Sequence, residues 1–335
     1  MTSSFAPDPA GTFAPDSAGN FTPDSARAFA PDSAGVFSSG PAGIVDAHHH
    51  IWRAADLPWL QGEMVPRIFG PYEPIRRDYP ASEYAGEATA CGITSAVYVQ
   101  ANWPLDRSVE EVRWLRDVHA ETGWPTAVVG SADLFDEGAA DVMRRQAAIT
   151  PLVRGTRLQL HWHERPEFRF AAAPDRMKDP VFRRNIAALA DLGWLFELQV
   201  FPAQMADAAA LVDDFPGVTF VLVHAGMPVG AEPSAVAEWT RGMRLLAGRP
   251  NVVVKLTGQG TFVHCVDRAL IERVAATCLD LFGSRRCMWG SNFPIEKLWT
   301  DLPTLLSTWQ DVLSGRSAEE IRDVFTATAT RVYRL

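Results

Sequence analysis

From Ile44 onward, β-branched apolar runs alternate with amphipathic stretches, and the alternation repeats eight times. The runs occupy 44–50, 93–99, 126–132, 153–160, 195–200, 218–224, 252–256 and 287–289. Helical patterns fall near 83–91, 108–122, 137–149, 180–192, 203–214, 234–247 and 267–282, and a last one, 301–313, follows the eighth run. In 108–122, Val109, Val112, Leu115 and His119 share a face, with Glu110, Arg113 and Asp117 elsewhere. Leu192-Gly193 and Phe282-Gly283 read as helix stops just ahead of new strands. Eight strand–helix units over about 270 residues match a (β/α)₈ TIM barrel, an α/β fold of typically ~250 residues. A doubly wound open sheet competes, but no GxGxxG follows the first strand, and polar residues end many strands instead of flanking one crevice. The expected barrel domain spans 44–335.

The stretch before it is different in kind. Residues 5–37 repeat an octapeptide, with Phe5, Phe13, Phe21 and Phe29 each opening a unit rich in Pro, Asp and Ala, and Phe37 opening a broken fifth. One large apolar residue per unit cannot offset chain entropy, so residues 1–40 are expected to be a disordered tail.

Composition excludes several classes of function. Net charge is −9, of which the first forty residues supply −3 through Asp8, Asp16, Asp24 and Asp32 against Arg27. With no basic stripe, neither nucleic acid nor an anionic membrane surface is an expected partner. No apolar run approaches membrane-spanning length, and the N-terminus lacks the apolar core of a secretory signal. Cys91, Cys265, Cys278 and Cys287 are scattered without a CxxC pair, which argues against a zinc ribbon or disulfide framework and fits a reducing cytoplasm. The expected partner is a small-molecule substrate; formation of a homo-oligomer is left open.

In a barrel of this kind the reactive groups stand at the C-terminal ends of the strands. Reading those ends gives His48 and His50 from the first strand, with His49 pointing away because alternate side chains share a face. The second strand ends in Gln100, and the fourth offers Arg157, Gln159 and His161. The fifth contributes Gln199, the sixth His224 and the seventh Lys255, while the eighth runs into Ser291-Asn292. Imidazoles at strand ends can hold a divalent metal or orient a polarised oxygen. Lys255 and Arg157 follow apolar strand positions, where an unpaired cation is costly, so both are expected to engage an anionic or strongly polar substrate.

The combination Asp46-x-His48-x-His50-x-Trp52, Val-His224-Ala-Gly and Trp289-Gly-Ser-Asn292-Phe-Pro294 resembles the amidohydrolase-related family. It is most similar to the branch holding sugar lactonases and 2-pyrone-4,6-dicarboxylate lactonase, over nearly all of 44–335. The resemblance implies a distorted (β/α)₈ barrel that hydrolyses lactones, esters or amides, with some relatives being decarboxylases. It maps the family's strand-1 histidine pair onto His48 and His50 and its strand-6 histidine onto His224. Two departures stand out: the family's strand-8 Asp is Asn292, and Gln199 occupies the place of a strand-5 His. A neutral amide is a poor metal ligand and not a base, though it can orient water.

Two mechanisms follow. In one, His48, His50 and His224 hold a single zinc or manganese ion whose open position activates water. In the other no metal binds, and histidines with a nearby cation polarise the carbonyl. His163, Glu164 and Glu296 are the candidates for general base, His163 having a suitable ordinary pKa. Trp52 is among the aromatics expected to line the site, and the 28-residue stretch 53–80 is long enough to serve as a cover. The expected activity is hydrolysis of a lactone or related ester. A metal-dependent decarboxylase and a catalytically lapsed ligand-binding barrel are the alternatives.

Overall fold

The computed structural model describes residues 43–335, and the repeat tail expected over 1–40 lies outside the described residues. Eight strands follow one another round a single sheet in chain order: β1 (Ile44–His49), β2 (Ile93–Val99), β3 (Ala127–Gly130), β4 (Val153–Arg157), β5 (Leu195–Leu198), β6 (Phe220–Leu222), β7 (Val252–Leu256) and β8 (Cys287–Trp289). All seven ladders between neighbours are parallel. A short helix, α1 (Pro58–Gln61), sits in the first connection. The barrel helices are α2 (Ala81–Ala90), α3 (Ser108–Thr122), α4 (Ala139–Ile149), α5 (Pro180–Leu192), α6 (Met205–Asp214), α7 (Pro233–Ala247), α8 (Arg268–Phe282) and α9 (Leu302–Leu313). Two short helices, α10 (Ala318–Arg322) and α11 (Thr328–Tyr333), complete the chain. No helix of the described residues is long and apolar enough to cross a membrane.

The expected barrel is therefore present, and its distortion has a specific location. β8 and β1 share no ladder of their own among the described residues; they are joined just past their ends, where Asn292 N donates to His48 O (2.7 Å) and His50 N to Phe293 O (2.7 Å). Asp46 fastens the same seam. Its carboxylate accepts from His48 N (3.0 Å), Ser291 N (2.8 Å), Ser291 Oγ (2.5 Å) and Tyr84 OH (2.8 Å).

Alternation divides the core into two layers. Val45, Val97, Val129, Leu195, Val221, Val253 and Met288 face into the barrel, where Ala329 and Tyr333 of α11 pack against them. The residues between them, such as Val128, Phe196, Phe220 and Val254, pack outward under the helices. β1 breaks the alternation once: Asp46 pairs with Ala96, but His49 instead of His48 pairs with Tyr98. This bulge lets Ala47 join the inner layer while His48 also turns inward.

Candidate active site

The bulge sets the first two histidines. His48 and His50 both point into the barrel mouth with ring centroids 5.1 Å apart, and His49 stacks outward on Tyr84 at 4.0 Å. The third ring arrives by a different device. β6 stops at Leu222, two residues short of the end of the apolar run, and His224, Ala225, Gly226 and Met227 all adopt left-handed backbone, with φ of 54°, 49°, 70° and 53°. Such conformations are unfavourable for most L-residues, roughly 1–2 kcal/mol each, and cluster at functional sites. The turn brings the His224 ring to 5.0 Å from His48. Gly258 makes room for it: a methyl group there would lie 2.3 Å from His224 Nδ1.

Hydrogen bonds assign the ring nitrogens. His50 Nδ1 lies 2.6 Å from Val99 O, and a carbonyl only accepts, so Nδ1 carries the hydrogen and Nε2 keeps a free lone pair. His48 is the reverse. Lys255 Nζ stands 3.5 Å from its Nδ1, an ammonium only donates, and the hydrogen is left on Nε2, which is buried without a partner. All three rings are neutral at pH 7. Burial is the leading cause for each; the Lys255 charge adds for His48 and the Arg157 charge for His50 and His224, the last falling to about 3. Among the described residues, no three His, Cys, Asp or Glu side chains are gathered so as to hold a metal ion.

Lys255 corrects an expectation. It is fully buried beneath the histidines and does not reach the cavity, because Glu197 on β5 neutralises it at 2.6 Å. Tyr333 OH donates to the same Glu197 oxygen at 2.7 Å, so the last helix completes this buried network. Burial pulls the Lys255 pKa down to about 8, opposed chiefly by Glu197.

Above the histidines opens a cavity of about 300 Å³. His50, Arg157, Gln199, His224 and Asn292 line its floor and lower wall, with Trp52 and His161 also exposed to it. Arg157 is held by Gln100 O (2.6 Å) and, at 3.5 Å, by Gln199 Oε1, and its Nε has no partner. His161 falls in the loop after β4, its pKa lowered to about 3 by burial and then by Arg157. The connection 53–80 does cover the site, contributing Trp59, Val65, Pro66, Arg67, Ile68 and Phe69 to the wall.

Two further expectations are corrected. The Gln100 side chain turns back to accept from Asn102 N at 2.6 Å; only its carbonyl serves the site, through Arg157. His163 faces its own loop, where Nδ1 accepts from Arg165 N (3.0 Å) and the ring packs against Phe168 and Phe201. It does not line the cavity, and neither does Glu164, whose carbonyl is bound by Arg169. Glu296 is buried and paired with Trp299 Nε1 (2.7 Å) and Asn292 Nδ2 (3.5 Å), while neighbouring Lys297 binds Glu83 and Glu87 instead. Burial raises the Glu296 carboxyl to about 8. With its nitrogen on Glu296, Asn292 is left with its oxygen to offer the cavity.

Sequence reasoning missed Glu197, Glu111 and Arg67. Glu197 had a readable signal: it is an acid on the Leu195 face of an apolar strand, and the register sets it opposite Val253, two residues before the lysine two strands away. Glu111, fully buried, accepts from Tyr98 OH (2.7 Å) and Ala101 N (3.3 Å) and tethers the end of β2. Arg67 lies in a loop with no periodicity to mark it.

Comparison with known proteins agrees with this fold. The family model described as amidohydrolase matches residues 45–335. L-fucono-1,5-lactonase of Burkholderia multivorans is 30% identical over 307 residues, covering 87% of this chain and 96% of that protein. A crystal structure of an amidohydrolase from Burkholderia multivorans with bound zinc superposes with a TM-score of 0.73 at 28% identity, covering 87% of this chain and 99% of the other. The crystal structure of a hydrolase from Pseudomonas putida named for 2-pyrone-4,6-dicarboxylic acid shares the fold, with a TM-score of 0.66 at 20% identity over 88% of this chain and 98% of that one.

Proposed function

The chain belongs to the amidohydrolase family and is a hydrolase, and from that premise we propose that it opens a lactone by water attack above His48, His50 and His224. The observation that carries the reading is the nitrogen assignment: a neutral His50 with its Nε2 lone pair free, on the same cavity floor as the partly unsatisfied Arg157 guanidinium. Those are a proton acceptor and a fixed positive charge, the two things hydrolysis of a C–O bond requires.

The substrate carbonyl sits against Arg157 and His224, and the guanidinium takes the negative charge that develops on its oxygen. Asn292 accepts one hydrogen of the attacking water and aligns it. His50 Nε2 removes the other hydrogen as oxygen bonds to the carbonyl carbon. When the tetrahedral species collapses, the ring C–O bond breaks and the same proton passes to the departing oxygen, giving a hydroxy acid. His48, one ring deeper, keeps its Nε2 hydrogen as a donor because Lys255 holds the opposite nitrogen.

That last contact bears on metal. An imidazole that binds an ion through Nε2 must carry its hydrogen on Nδ1, where His48 would confront the Lys255 ammonium. Asn292 in place of a carboxylate weakens the set further. His48, His50 and His224 as arranged therefore do not fit a three-imidazole zinc or manganese site, and the proposed reaction uses no step through one. The free cysteines Cys91, Cys265, Cys278 and Cys287 support a reducing, cytoplasmic setting.

The test is a panel of lactones followed by base uptake at constant pH, with wild type and His50→Gln. Turnover that falls at least 10²-fold in the variant is expected, the usual scale for loss of an acid–base group. Carbon dioxide release without base uptake would replace this reading by the decarboxylase, and unchanged hydrolysis in His50→Gln would remove the assigned base.

A further inference from the structure

The cavity wall carries three arginines, Arg67, Arg157 and Arg169, and one carboxylate, Glu167, which Arg165 already holds at 2.9 and 2.5 Å. The lining is therefore cationic. Arg157 is held by Gln100 O (2.6 Å) and, with its own Nε also unpartnered, is assigned to the reacting carbonyl, while Arg169 is spent on the carbonyls of His163 (3.0 Å) and Glu164 (2.9 Å). Arg67 is different. Its guanidinium lies over the rings of Trp59 (5.4 Å) and Tyr72 (5.8 Å), it joins no ion pair among the described residues, and its Nε is buried without a hydrogen-bond partner.

The loop holds it in that state. Gly70 N donates to Arg67 O (2.9 Å), and His264 Nε2 donates to Ile68 O (3.2 Å) from the connection after β7. Gly70 has φ +72°, and a methyl group on it would lie 2.9 Å from the His264 ring, so the turn is fixed by close packing as well as by hydrogen bonds. Aromatic stacking shields the faces of a guanidinium and leaves its in-plane N–H groups, whose fork matches a carboxylate. A charge placed this way, partly desolvated and unpaired on a cavity wall, is stabilised by an anionic ligand that enters the cavity.

We propose that Arg67 is a specificity-determining residue that selects lactones carrying a carboxylate remote from the reacting carbonyl. The inference rests on the lactonase reading for the word lactone, but the anion site at Arg67 stands on its own geometry. The ring carbonyl goes down to Arg157 and the histidines, and the carboxylate stays up at the covering loop.

The experiment compares 2-pyrone-4,6-dicarboxylate, which is anionic, with L-fucono-1,5-lactone, which is not, in wild type, Arg67→Met and Arg67→Lys. In Arg67→Met, kcat/KM for the anionic lactone should fall roughly ten- to a hundredfold more than for the neutral one, the scale of one charge-assisted hydrogen-bonded contact. The loss should lie in KM, and Arg67→Lys should recover part of it. An equal fall on both lactones, or none on the anionic one, overturns the proposal. Binding of benzene-1,3-dicarboxylate, a flat dianion with no bond to hydrolyse, is measured in parallel by calorimetry. Tenfold or greater weakening in Arg67→Met supports the anion site even where neither lactone is turned over, a result that would count against the lactonase reading alone. Equal binding by wild type and variant refutes the site whatever the activity.

Discussion

Replacing Glu197 by Gln strands the ammonium of Lys255 in a site with no exposure and no other carboxylate contact. Breaking a buried pair from one side typically costs about 3–5 kcal/mol. The structure also sets a ceiling. Lys255 can always escape by shedding its proton, and from an ordinary pKa of about 10.4 to pH 7 that step costs about 4.6 kcal/mol at about 1.36 kcal/mol per unit. The expected loss at pH 7 is therefore about 3–4.6 kcal/mol, a large fraction of the roughly 5–15 kcal/mol that holds a domain together. The sign of its pH dependence follows. In the variant the folded lysine is neutral and the unfolded one charged, so the unfolded state binds one more proton and stability rises with pH. In the wild type, Lys255 keeps its proton up to about 8 and adds no such slope below that. Urea unfolding between pH 6 and 7, below the wild-type titration, should thus show the variant regaining about 1.36 kcal/mol per unit relative to wild type. The triple variant Glu197→Leu, Lys255→Met, Tyr333→Phe removes the ion pair and the Tyr333 hydroxyl together, leaves only the 3.5 Å contact to His48 Nδ1 unmade, and should return to within about 1–2 kcal/mol of wild type. A loss below about 1 kcal/mol, a flat pH response, or a triple variant as weak as the single one would refute the buried-pair argument.

Asp46→Asn should destabilise by about 2–4 kcal/mol, measured by the same unfolding, because the amide keeps one acceptor oxygen where the carboxylate uses two, one for His48 N and Ser291 N and the other for Ser291 Oγ and Tyr84 OH. The kcat–pH profile should descend through about 8 as Lys255 loses the proton that fixes the His48 hydrogen on Nε2. That limb should move upward in Lys255→Arg and persist in Glu296→Gln, whose carboxyl is also raised to about 8; if the Glu296 substitution abolishes it, the titration belongs to Glu296. Turnover of a lactone should survive exhaustive chelation with metal content below one-tenth of an equivalent, checked by elemental analysis on the order-of-magnitude scale that separates a cofactor from a trace; loss of activity restored by zinc would reverse the His48 assignment.

Strand order and the meeting of His48, His50 and His224 were legible because period-2 alternation and strand-end position are local properties. The β1 bulge did not spoil the expected pairing, since it displaced Ala47 and returned His48 to the inner face. What could not be read depended on tertiary partners. Val-Leu-Val before His224 looks like strand to its end, yet the chain turns left-handed from His224, driven by packing of Gly226 against Met205 and of His224 against Gly258. Lys255 was correctly placed on an inner row but wrongly aimed at substrate, because its neutraliser lies 58 residues earlier on β5. His163 is an imidazole, the residue type expected of a base, but it sits in a loop, where Arg165 and two phenylalanines decide its direction. The Gln100 side chain was lost to a local turn with Asn102.

The Asp46 carboxylate grips Ser291 across 245 positions of chain, so the ring of strands shuts through one of the longest-range contacts in the molecule. Contacts that distant demand the largest loop entropy and form after nearby strands have paired. A weakened clasp should then leave the rate of refolding nearly untouched and quicken unfolding, the signature of an interaction absent from the transition state. The histidines that meet beside this clasp would be assembled last and dispersed first, so loss of the catalytic floor should precede collapse of the barrel wall when the protein is heated.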